Sequence, residues 1–298
     1  MTKFLELCLA GAALGAQYGL VALGYVVIYR ATSVINFAQG GFVMVGAYLA
    51  YNFHQTWGLP FYVAVVLAMV GGAIVGALVE VLILRRLLGR PPFVIIMVTI
   101  GLLILIEQLV PVVWGQAPLA LGDPWGVRSV RLGDIAVAVA DLWTIGIVAV
   151  VLIVFFLYFK FSRMGVAMRA TASDQEAALA QGIGAGLVIG VSWAIAGAVA
   201  ALAGVTLAGG GGGVRLDIEL VALAAFPAII LGGLDSPVGA VVGGLAIGIS
   251  QSLASGYQPE YAPWLGSGFD LALPYIIMVI VLLVRPYGFF GQREVHRV

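Results

Sequence analysis

Long apolar runs separated by short polar segments dominate the chain and set its class. The longest runs cover 5–29, 61–84, 92–114, 142–159, 187–208 and 270–284. A run of about 20 apolar residues crosses the roughly 30 Å hydrocarbon core of a bilayer as a helix. Only helices and closed barrels satisfy their backbone polar groups in lipid, and the sequence has no alternating ten-residue strand pattern. The pattern therefore predicts an all-α polytopic membrane protein.

Two regions combine shorter apolar runs with polar interruptions. Residues 31–54 predict one short pass that follows a polar stretch, whereas the apolar runs 220–234 and 237–254 flank a polar break at 234–237. Both regions continue into Gly- and Ala-rich helices, so they resemble an internal repeat with broken or re-entrant helices. A biased composition would give the same likeness. Counting these segments predicts about eight to ten spans in a single transmembrane domain that covers 1–298.

Composition and charge placement add an orientation. Hydrophobic residues make up 62% of the chain and charged residues only 9%, against about 25% charged residues in soluble domains. Basic residues cluster in three places: Arg85, Arg86 and Arg90; Lys160, Arg163 and Arg169; Arg285, Arg293 and Arg297. Positively charged loops stay in the cytoplasm. The segments predicted to be cytoplasmic are 85–90, 160–186 and the C-terminal 285–298, and those predicted to be external are 52–60, 115–141 and 255–270. The side of the N-terminus stays open.

The first apolar run is longer than the hydrophobic part of a signal peptide and lacks a clean cleavage pattern, so we expect a retained span. Cys8 is the one cysteine, which excludes a disulfide within the chain. His54 and His296 lie at predicted membrane edges without a second His or Cys nearby, so no metal site is predicted. No nucleophile–base pattern or carboxylate pair predicts an intramembrane enzyme.

The segment 160–186 predicts a short cytoplasmic helix. Ser173 is placed as its N-cap, with Glu176 reaching back as in a capping box, and Gly182 or Gly184 as its stop. Asp174 and Glu176 would lie near the positive end of the helix dipole. A short capped helix on the positive side suits docking against a partner protein, although an ordinary loop has the same pattern.

Polar residues at the first helix break are candidates for a translocation path. Broken backbone in a membrane is tolerated only against protein or a cavity. We expect the breaks at 32–39 and 234–237 to lie close together inside the bundle, with Phe37 and Phe226 as apolar walls. The same polar side chains could instead only cap the broken helix. The candidates are Thr32, Ser33, Asn36, Gln39, Gly40, Gln17 and Thr99.

Two carboxylates lie inside apolar runs, where a charge costs about 2.5–3.5 kcal/mol on insertion scales. Glu80 is expected to pair with Arg85. For Glu107, a helix–helix hydrogen bond or an interfacial position near the outer leaflet is favoured over a role in a proton or substrate path.

Several signatures resemble one known family in their order along the chain. They are IYRATSVINFAQG at 28–40, TIGL at 99–102, RATA at 169–172, FPAIILGGL at 226–234 and RPYGFFG at 285–291. They are similar to branched-chain amino acid ABC transporter permeases of the LivH type. Glu176-Ala177-Ala178 followed by Gly182 resembles the EAA-type coupling loop of ABC importer permeases. The chain differs near Gln39 and Gly41, where such permeases usually have a His and then an acid.

The resemblance implies a type II importer fold in a bacterial inner membrane. It implies a translocation subunit rather than an enzyme, which carries branched-chain or other hydrophobic amino acids. The implied partners are a second homologous permease, two ATP-binding subunits, a periplasmic substrate-binding protein and membrane lipid, with no nucleic acid. No cofactor is expected in this chain, and ATP would bind to the partner subunits. The residues implied to couple to the ATPases are Arg169, Ser173, Asp174, Glu176, Ala177, Ala178 and Gly182.

The sequence agrees that ATP binds elsewhere. Lys3 and Lys160 are the only lysines and neither follows a glycine, so the chain has no G-x-x-x-x-G-K-[ST] phosphate loop. Import of urea, short amides or a small carboxylate is an alternative within transport. An ion-coupled carrier is a further alternative, in which Glu107 would matter.

Overall fold

The computed structural model describes residues 2–87, 89–173 and 175–291, which form a helical bundle with one small hairpin. The α-helices are α1 (Thr2–Thr32), α2 (Gln39–Tyr51), α3 (Phe61–Leu82), α4 (Pro92–Trp114), α5 (Val139–Phe161), α6 (Arg163–Ser173), α7 (Gln175–Ala180), α8 (Ala185–Ala208), α9 (Val221–Ala224), α10 (Phe226–Gly232), α11 (Pro237–Tyr261) and α12 (Phe269–Val284). The strands β1 (Ser129–Leu132) and β2 (Ile135–Ala138) pair antiparallel. Short pieces of other helix types cover Asn52–Thr56 (a π-helix) and Leu84–Leu87, Leu216–Leu220 and Pro263–Leu265 (3₁₀-helices).

Within the described part, six helices are long and apolar enough to cross a membrane: α1, α3 with its 3₁₀ extension, α4, α5, α8 and α11. α12 is apolar but shorter. The all-α polytopic fold is therefore confirmed. The number of spans stays a prediction, because helix length and composition do not show which of the shorter helices cross.

The bundle has two distinct ends. At one, the hairpin end, Lys3 pairs with Glu260 at 2.7 Å, and the backbones of Leu119 and Val214 bond to each other. The imidazole of His54 contacts the Gly122 carbonyl at 3.0 Å, at the same end. These contacts bring together the three segments predicted to be external, and the start of α1 lies with them.

The opposite end, the α7 end, collects the described members of the basic clusters, whereas Arg293 and Arg297 lie outside the described residues. Arg85 donates to the Gly186 carbonyl at 3.4 Å, and the guanidinium of Arg30 lies 5.3 Å from the Phe159 ring centroid. The segment after α12 reaches the same end, since the Phe290 amide donates to the Gly232 carbonyl at 3.1 Å. The partition expected from the charge pattern is thus reproduced as two ends of one bundle.

Glycines let the central helices touch backbone to backbone, as their spacing predicts. A Cβ added at Gly15 of α1 would lie 2.7 Å from the Gly244 carbonyl of α11, and one at Gly72 of α3 would lie 2.5 Å from the Gly197 carbonyl of α8. Gly190 of α8 faces a side chain rather than a backbone. A Cβ added at Gly190 would lie 3.2 Å from the carboxylate of Glu80.

The predicted Glu80–Arg85 ion pair is confirmed. The Glu80 side chain is fully buried, and Arg85 Nη2 donates to its Oε2 at 2.8 Å while Nε donates to Oε1 at 3.1 Å. A bidentate pair of this kind satisfies a carboxylate that lipid could not.

Both interrupted regions differ in detail from their predicted boundaries. α1 extends through Thr32, beyond the apolar run that ends at 29, and the following passage is α2 with its π-helical continuation to Thr56. The apolar run 237–254 belongs to one long helix, because α11 continues to Tyr261. The apolar run 220–234 is interrupted, since it is divided into α9 and α10.

Candidate functional site

The first helix break begins where α1 ends at Thr32 and Ser33. The Thr32 hydroxyl donates to the Ile28 carbonyl at 2.9 Å and accepts from the Val34 amide at 3.3 Å. Ser33 has a positive φ of 54° and is exposed, a backbone conformation typical of a residue that terminates a helix. These two path candidates therefore act in the structure as the C-terminal cap of α1.

Asn36, Gln39 and Thr99 lie deeper and are almost completely buried. Asn36 Oδ1 accepts from the Ala38 amide at 3.0 Å, its Nδ2 donates to Gln39 Oε1 at 3.4 Å, and Gln39 Nε2 donates to the Ala196 carbonyl of α8 at 3.3 Å. These three bonds tie the start of α2 to α8. The polar groups that form these hydrogen bonds are therefore satisfied inside the bundle and not exposed to lipid.

Thr99 joins this network from α4. Its hydroxyl accepts from the Phe37 amide at 3.2 Å and donates to the Ile96 carbonyl at 2.8 Å. The break is therefore held from both sides, by α4 through Thr99 and by α8 through Gln39.

Gly24 on α1 provides the room for Gln39, since an added Cβ would overlap the Gln39 amide nitrogen. Gln17 lies seven residues earlier on α1, two turns nearer the hairpin end on the same helix face, and is half-buried. It is thus aligned with the break without being part of the hydrogen bonds just described.

Gly40 faces the second broken region. A Cβ at Gly40 would lie 2.6 Å from the Glu219 carbonyl oxygen and 3.2 Å from the Ala222 Cβ. The predicted aromatic walls meet here, since Phe37 and Phe226 stack with ring centroids 5.6 Å apart. The two broken regions therefore do come together inside the bundle.

The contact involves a different part of the second region from the one expected. Residues 219–226, rather than the 234–237 turn, oppose Phe37 and Gly40. The turn lies nearer the α7 end, where Pro237 lines a small cavity with Arg30 and Ala31. The space beside Gly232 is filled by the backbone of Gly239.

The coupling segment contains two helices where the sequence predicts one. Ser173, expected as an N-cap, is the last residue of α6, and Asp174 lies outside the described residues. Glu176, Ala177 and Ala178 all belong to α7.

α7 ends as predicted at Gly182. This glycine has a φ of +81°, its amide donates to the Leu179 carbonyl at 2.9 Å, and the Ile183 amide reaches back to the Ala178 carbonyl at 3.0 Å. Ala178 is buried, whereas Ala177 and Leu179 are exposed. α7 therefore keeps one small side chain inward and presents an apolar outer face.

Arg169 connects the coupling segment to the bundle. Its Nη1 donates to the Phe159 carbonyl, and its guanidinium lies 5.4 Å from the centroid of the same ring. Arg30 at the end of α1 lies against this ring as well, at 5.3 Å. Phe159 is thus placed between a cation of the coupling segment and a cation next to the first helix break.

One pair of polar side chains near the break was not predicted from the sequence. The carboxyl groups of Glu107 on α4 and Glu219 on the 3₁₀ piece lie near each other. The 112 residues that separate them, and the loop-like pattern around Glu219, gave no signal for this proximity. For Glu107, the favoured interpretation, a helix–helix hydrogen bond or an interfacial position, stays a prediction.

Sequence relatives match the chain over nearly its whole length. Residues 7–283 match the family described as "Branched-chain amino acid transport system / permease component". LivH of Salmonella typhimurium, a high-affinity branched-chain amino acid transport system permease protein, is 31% identical over 99% of this chain and 98% of its own length. BraD of Pseudomonas aeruginosa, a protein of the same description, is 27% identical over 99% and 98%. A probable LivH of Methanocaldococcus jannaschii is 32% identical over 91% and 88%.

A solved structure shares the fold. A chain of PsaBC from Streptococcus pneumoniae in complex with Fab aligns with a TM-score of 0.51 at 18% identity, over 95% of this chain and 92% of that one. The likeness supports the all-α helical bundle fold. With a family match that extends over residues 7–283, the chain belongs to the permease components of branched-chain amino acid transport systems.

Proposed function

We propose that the chain is the translocation subunit of an ATP-driven importer for branched-chain or other hydrophobic amino acids. The observation that carries the proposal is the near end-to-end similarity to LivH at 31% identity. The buried network at the first break supports it, since Asn36, Gln39 and Thr99 hold polar groups inside the bundle at the point where both broken regions meet.

In this proposal the substrate passes beside 36–40 and 219–226. Aromatic rings supply an apolar surface there, with Tyr25 and Phe226 in edge contact at 5.2 Å and Phe37 stacked on Phe226. An aliphatic side chain fits such a surface, whereas urea has no apolar group to bury and acetamide has only one methyl group. This favours hydrophobic amino acids over the alternative substrates.

The partners follow from the same proposal. A second homologous permease completes the path, two ATP-binding subunits supply the energy, and a periplasmic binding protein delivers the substrate at the hairpin end. The chain then lies in a bacterial inner membrane with its C-terminus, the α7 end and the basic clusters in the cytoplasm. The outer face of α7, with Ala177 and Leu179 exposed, is the proposed contact with an ATP-binding subunit.

The test is uptake by the complete transporter. Proteoliposomes that contain this chain with the partner subunits of its own transport system, supplied with the binding protein and internal ATP, should accumulate labelled leucine and valine. Labelled urea and acetamide serve as competing substrates. Accumulation of urea without leucine would contradict the proposed substrate class.

The coupling contact is tested in the same vesicles. The double variant Glu176→Ala, Gly182→Leu should stop ATP-dependent uptake while the protein stays in the membrane, because Gly182 needs its left-handed backbone and α7 carries the proposed contact face. Gly184→Leu, close by but without a positive φ, is the matched control and should retain uptake. Full uptake by the double variant would contradict this role of α7.

A further inference from the structure

Two arginine side chains from different helices lie against one aromatic ring at the α7 end. The guanidinium of Arg30, near the end of α1, is 5.3 Å from the centroid of the Phe159 ring, and that of Arg169 on α6 is 5.4 Å from it. All three side chains are partly buried. A cation within about 6 Å of a ring centroid is attracted by the negative charge of the ring face. Phe159 on α5 is therefore the shared partner of one cation on the coupling segment and one beside the first helix break.

Arg169 is held to α5 by more than the ring. Its Nη1 donates to the Phe159 carbonyl and its Nη2 to the Lys160 carbonyl at 3.4 Å. Both carbonyls belong to the last turn of α5, which ends at Phe161, and the final carbonyls of a helix have no partners inside it. Gly165 of α6 packs directly on the same turn, because an added Cβ would overlap the Phe159 carbonyl oxygen. The end of α5 and the start of α6 therefore form one rigid corner.

Arg30 differs from Arg169, because its attachment to α5 is the ring itself. Within the described part of the chain its guanidinium donates no hydrogen bond and forms no ion pair. A small cavity of about 10 Å³ borders this contact, and its lining includes Met168 of α6, Ser192 of α8 and Pro237 of α11. Because packing beside the ring is incomplete, the ring and the Arg30 guanidinium have room to shift against each other.

The first helix break is bonded to the same turn of α1 that carries Arg30. The hydroxyl of Thr32, two residues after Arg30, donates to the Ile28 carbonyl at 2.9 Å and accepts from the Val34 amide at 3.3 Å. A displacement of Arg30 therefore moves the residues from which the break starts. Pro237, which lines the same cavity, begins α11 directly after the 234–237 turn. Both broken regions thus lie next to the contact between Arg30 and the ring.

We propose that Phe159 is a positioning residue of the transport cycle, which passes a displacement of the coupling segment on to the first helix break. α7 and α6 move with the ATP-binding subunit, the corner of α5 and α6 carries the ring, and the ring displaces Arg30. Coupling of this kind is carried by packed side chains that have two discrete arrangements, and the cavity provides space for a second one. This role rests on the proposed function, since it assumes the contact between α7 and an ATP-binding subunit.

The experiment changes the charge of the ring face and keeps the shape of the ring. The complete transporter, with Phe159 replaced by phenylalanine that carries one, two or three fluorine atoms, is assayed in proteoliposomes for leucine imported per ATP hydrolysed. Fluorine withdraws electron density from the ring face and weakens its attraction for cations. We expect import per ATP to fall stepwise, by about fivefold or more with three fluorines, at an unchanged melting temperature. Equal import per ATP throughout the series would overturn the proposal, and so would a loss of import that only follows a loss of folded complex.

Phe155 is the matched control for the ring. It is buried and stacks on Phe159 at 5.7 Å between centroids, but among the described residues no cation lies against it. The same fluorine series at Phe155 should leave import per ATP unchanged. An equal fall at both positions would trace to the packing of the rings and overturn the role of the cations.

Variants of Arg30 identify the cation that matters. Arg30→Lys keeps a positive charge and should retain part of the import per ATP, whereas Arg30→Gln should lower it as far as three fluorines do. In Arg30→Gln, fluorines at Phe159 should have little further effect, because two changes to one contact are not additive. An undiminished fluorine effect without Arg30 would separate the ring from the first helix break and overturn the proposal.

A second readout does not need the substrate. In a Cys8→Ser background, the thiol of Ser33→Cys, at an exposed position of the break, is labelled in nanodiscs with and without trapping of the complex by ATP and vanadate. The labelling rate should change on trapping, and three fluorines at Phe159 should reduce that change. A rate that does not respond to nucleotide, or a response that the fluorines leave intact, would overturn the link whatever is imported. A response that the fluorines reduce, combined with no leucine import, would instead refute the proposed substrate and leave the link supported.

Discussion

α8 and α5 are nearly equal in length, with 24 and 23 residues, but they lie in opposite environments. The most apolar 18-residue window of α8 is 72% buried inside the protein, against 22% for that of α5, although α5 is the more hydrophobic, with a mean hydropathy of 2.7 against 2.1. In lipid, hydropathy does not distinguish a central helix from a peripheral one. Small residues do, because they let backbones approach closely.

The largest effect is expected where backbones touch. Gly197→Leu in α8 should abolish most of the folded protein, because any side chain there meets the Gly72 carbonyl and neither helix can withdraw. Overpacking of this kind costs about 1–3 kcal/mol or more. The readouts are the monodisperse fraction in size-exclusion chromatography and the melting temperature of that fraction.

The matched control is Gly146→Leu in α5, where an added Cβ meets nothing within 4 Å among the described residues. It should leave both readouts unchanged. Equal damage by the two substitutions would show that α5 also packs against protein, which would remove the contrast.

A smaller loss is expected at the Glu80–Arg85 ion pair, which joins α3 to its 3₁₀ extension. Glu80→Ala leaves Arg85 without its bidentate partner and a gap beside Gly190, and it should lower the melting temperature by roughly 5 °C or more. The double variant with Arg85→Ala should recover part of the loss, since no charge is then left unpaired. Glu260→Ala, which breaks an exposed ion pair with Lys3, should change the melting temperature little. A comparable decrease in this control would show that the loss does not depend on burial of the pair.

The helix break should respond more in transport than in stability. Asn36→Ala removes the acceptor of the Ala38 amide, which costs about 1–3 kcal/mol for a buried donor. Gly40→Leu should slow uptake by an order of magnitude or more, because a side chain would displace the Glu219 backbone. Ligand capture by the binding protein should be intact. Gly101→Leu, in open space on α4, is the control, and normal uptake by Gly40→Leu would exclude this contact from the path.

The smallest structural effect is expected from single cysteine substitutions, which test the side of the membrane on which each end of the bundle lies. In a Cys8→Ser background, Ser129→Cys at the hairpin end should be labelled by an impermeant thiol reagent from outside the cell. Ser173→Cys at the end of α6 should react only after the membrane is opened. Labelling of both from outside would refute the orientation and leave the bundle itself unaffected.

Much of the fold was predictable because lipid imposes a simple length requirement. The six long apolar runs all correspond to helices. The last turns of α11 were missed because they contain Gln258, Pro259 and Glu260. The structure satisfies the two polar side chains, since Gln258 Nε2 donates to the Ala262 carbonyl at 2.8 Å and Glu260 pairs with Lys3 at 2.7 Å.

The candidate site was predictable in part. Asn36, Gln39 and Thr99 could be named because polar groups in an apolar run need protein partners. Their partners could not be named, since Ala196 contributes only a carbonyl and every residue has one. Glu219 was missed for a similar reason: a carboxylate in a loop pattern carries no mark that a glycine far away in sequence, Gly40, will bring it into the bundle.

The unequal lengths of α1 and α12 have a consequence for the surrounding lipid. α1 has 31 residues and α12 has 16, so they measure about 46 Å and about 24 Å along their axes. Both connect the same two ends, yet only α12 is shorter than the roughly 30 Å hydrocarbon layer. Hydrophobic mismatch of this sign is relieved when the bilayer thins locally. If α12 crosses the membrane, as the sequence predicts, we expect the bilayer beside it to be thinner and shorter acyl chains to be enriched on that flank of the protein.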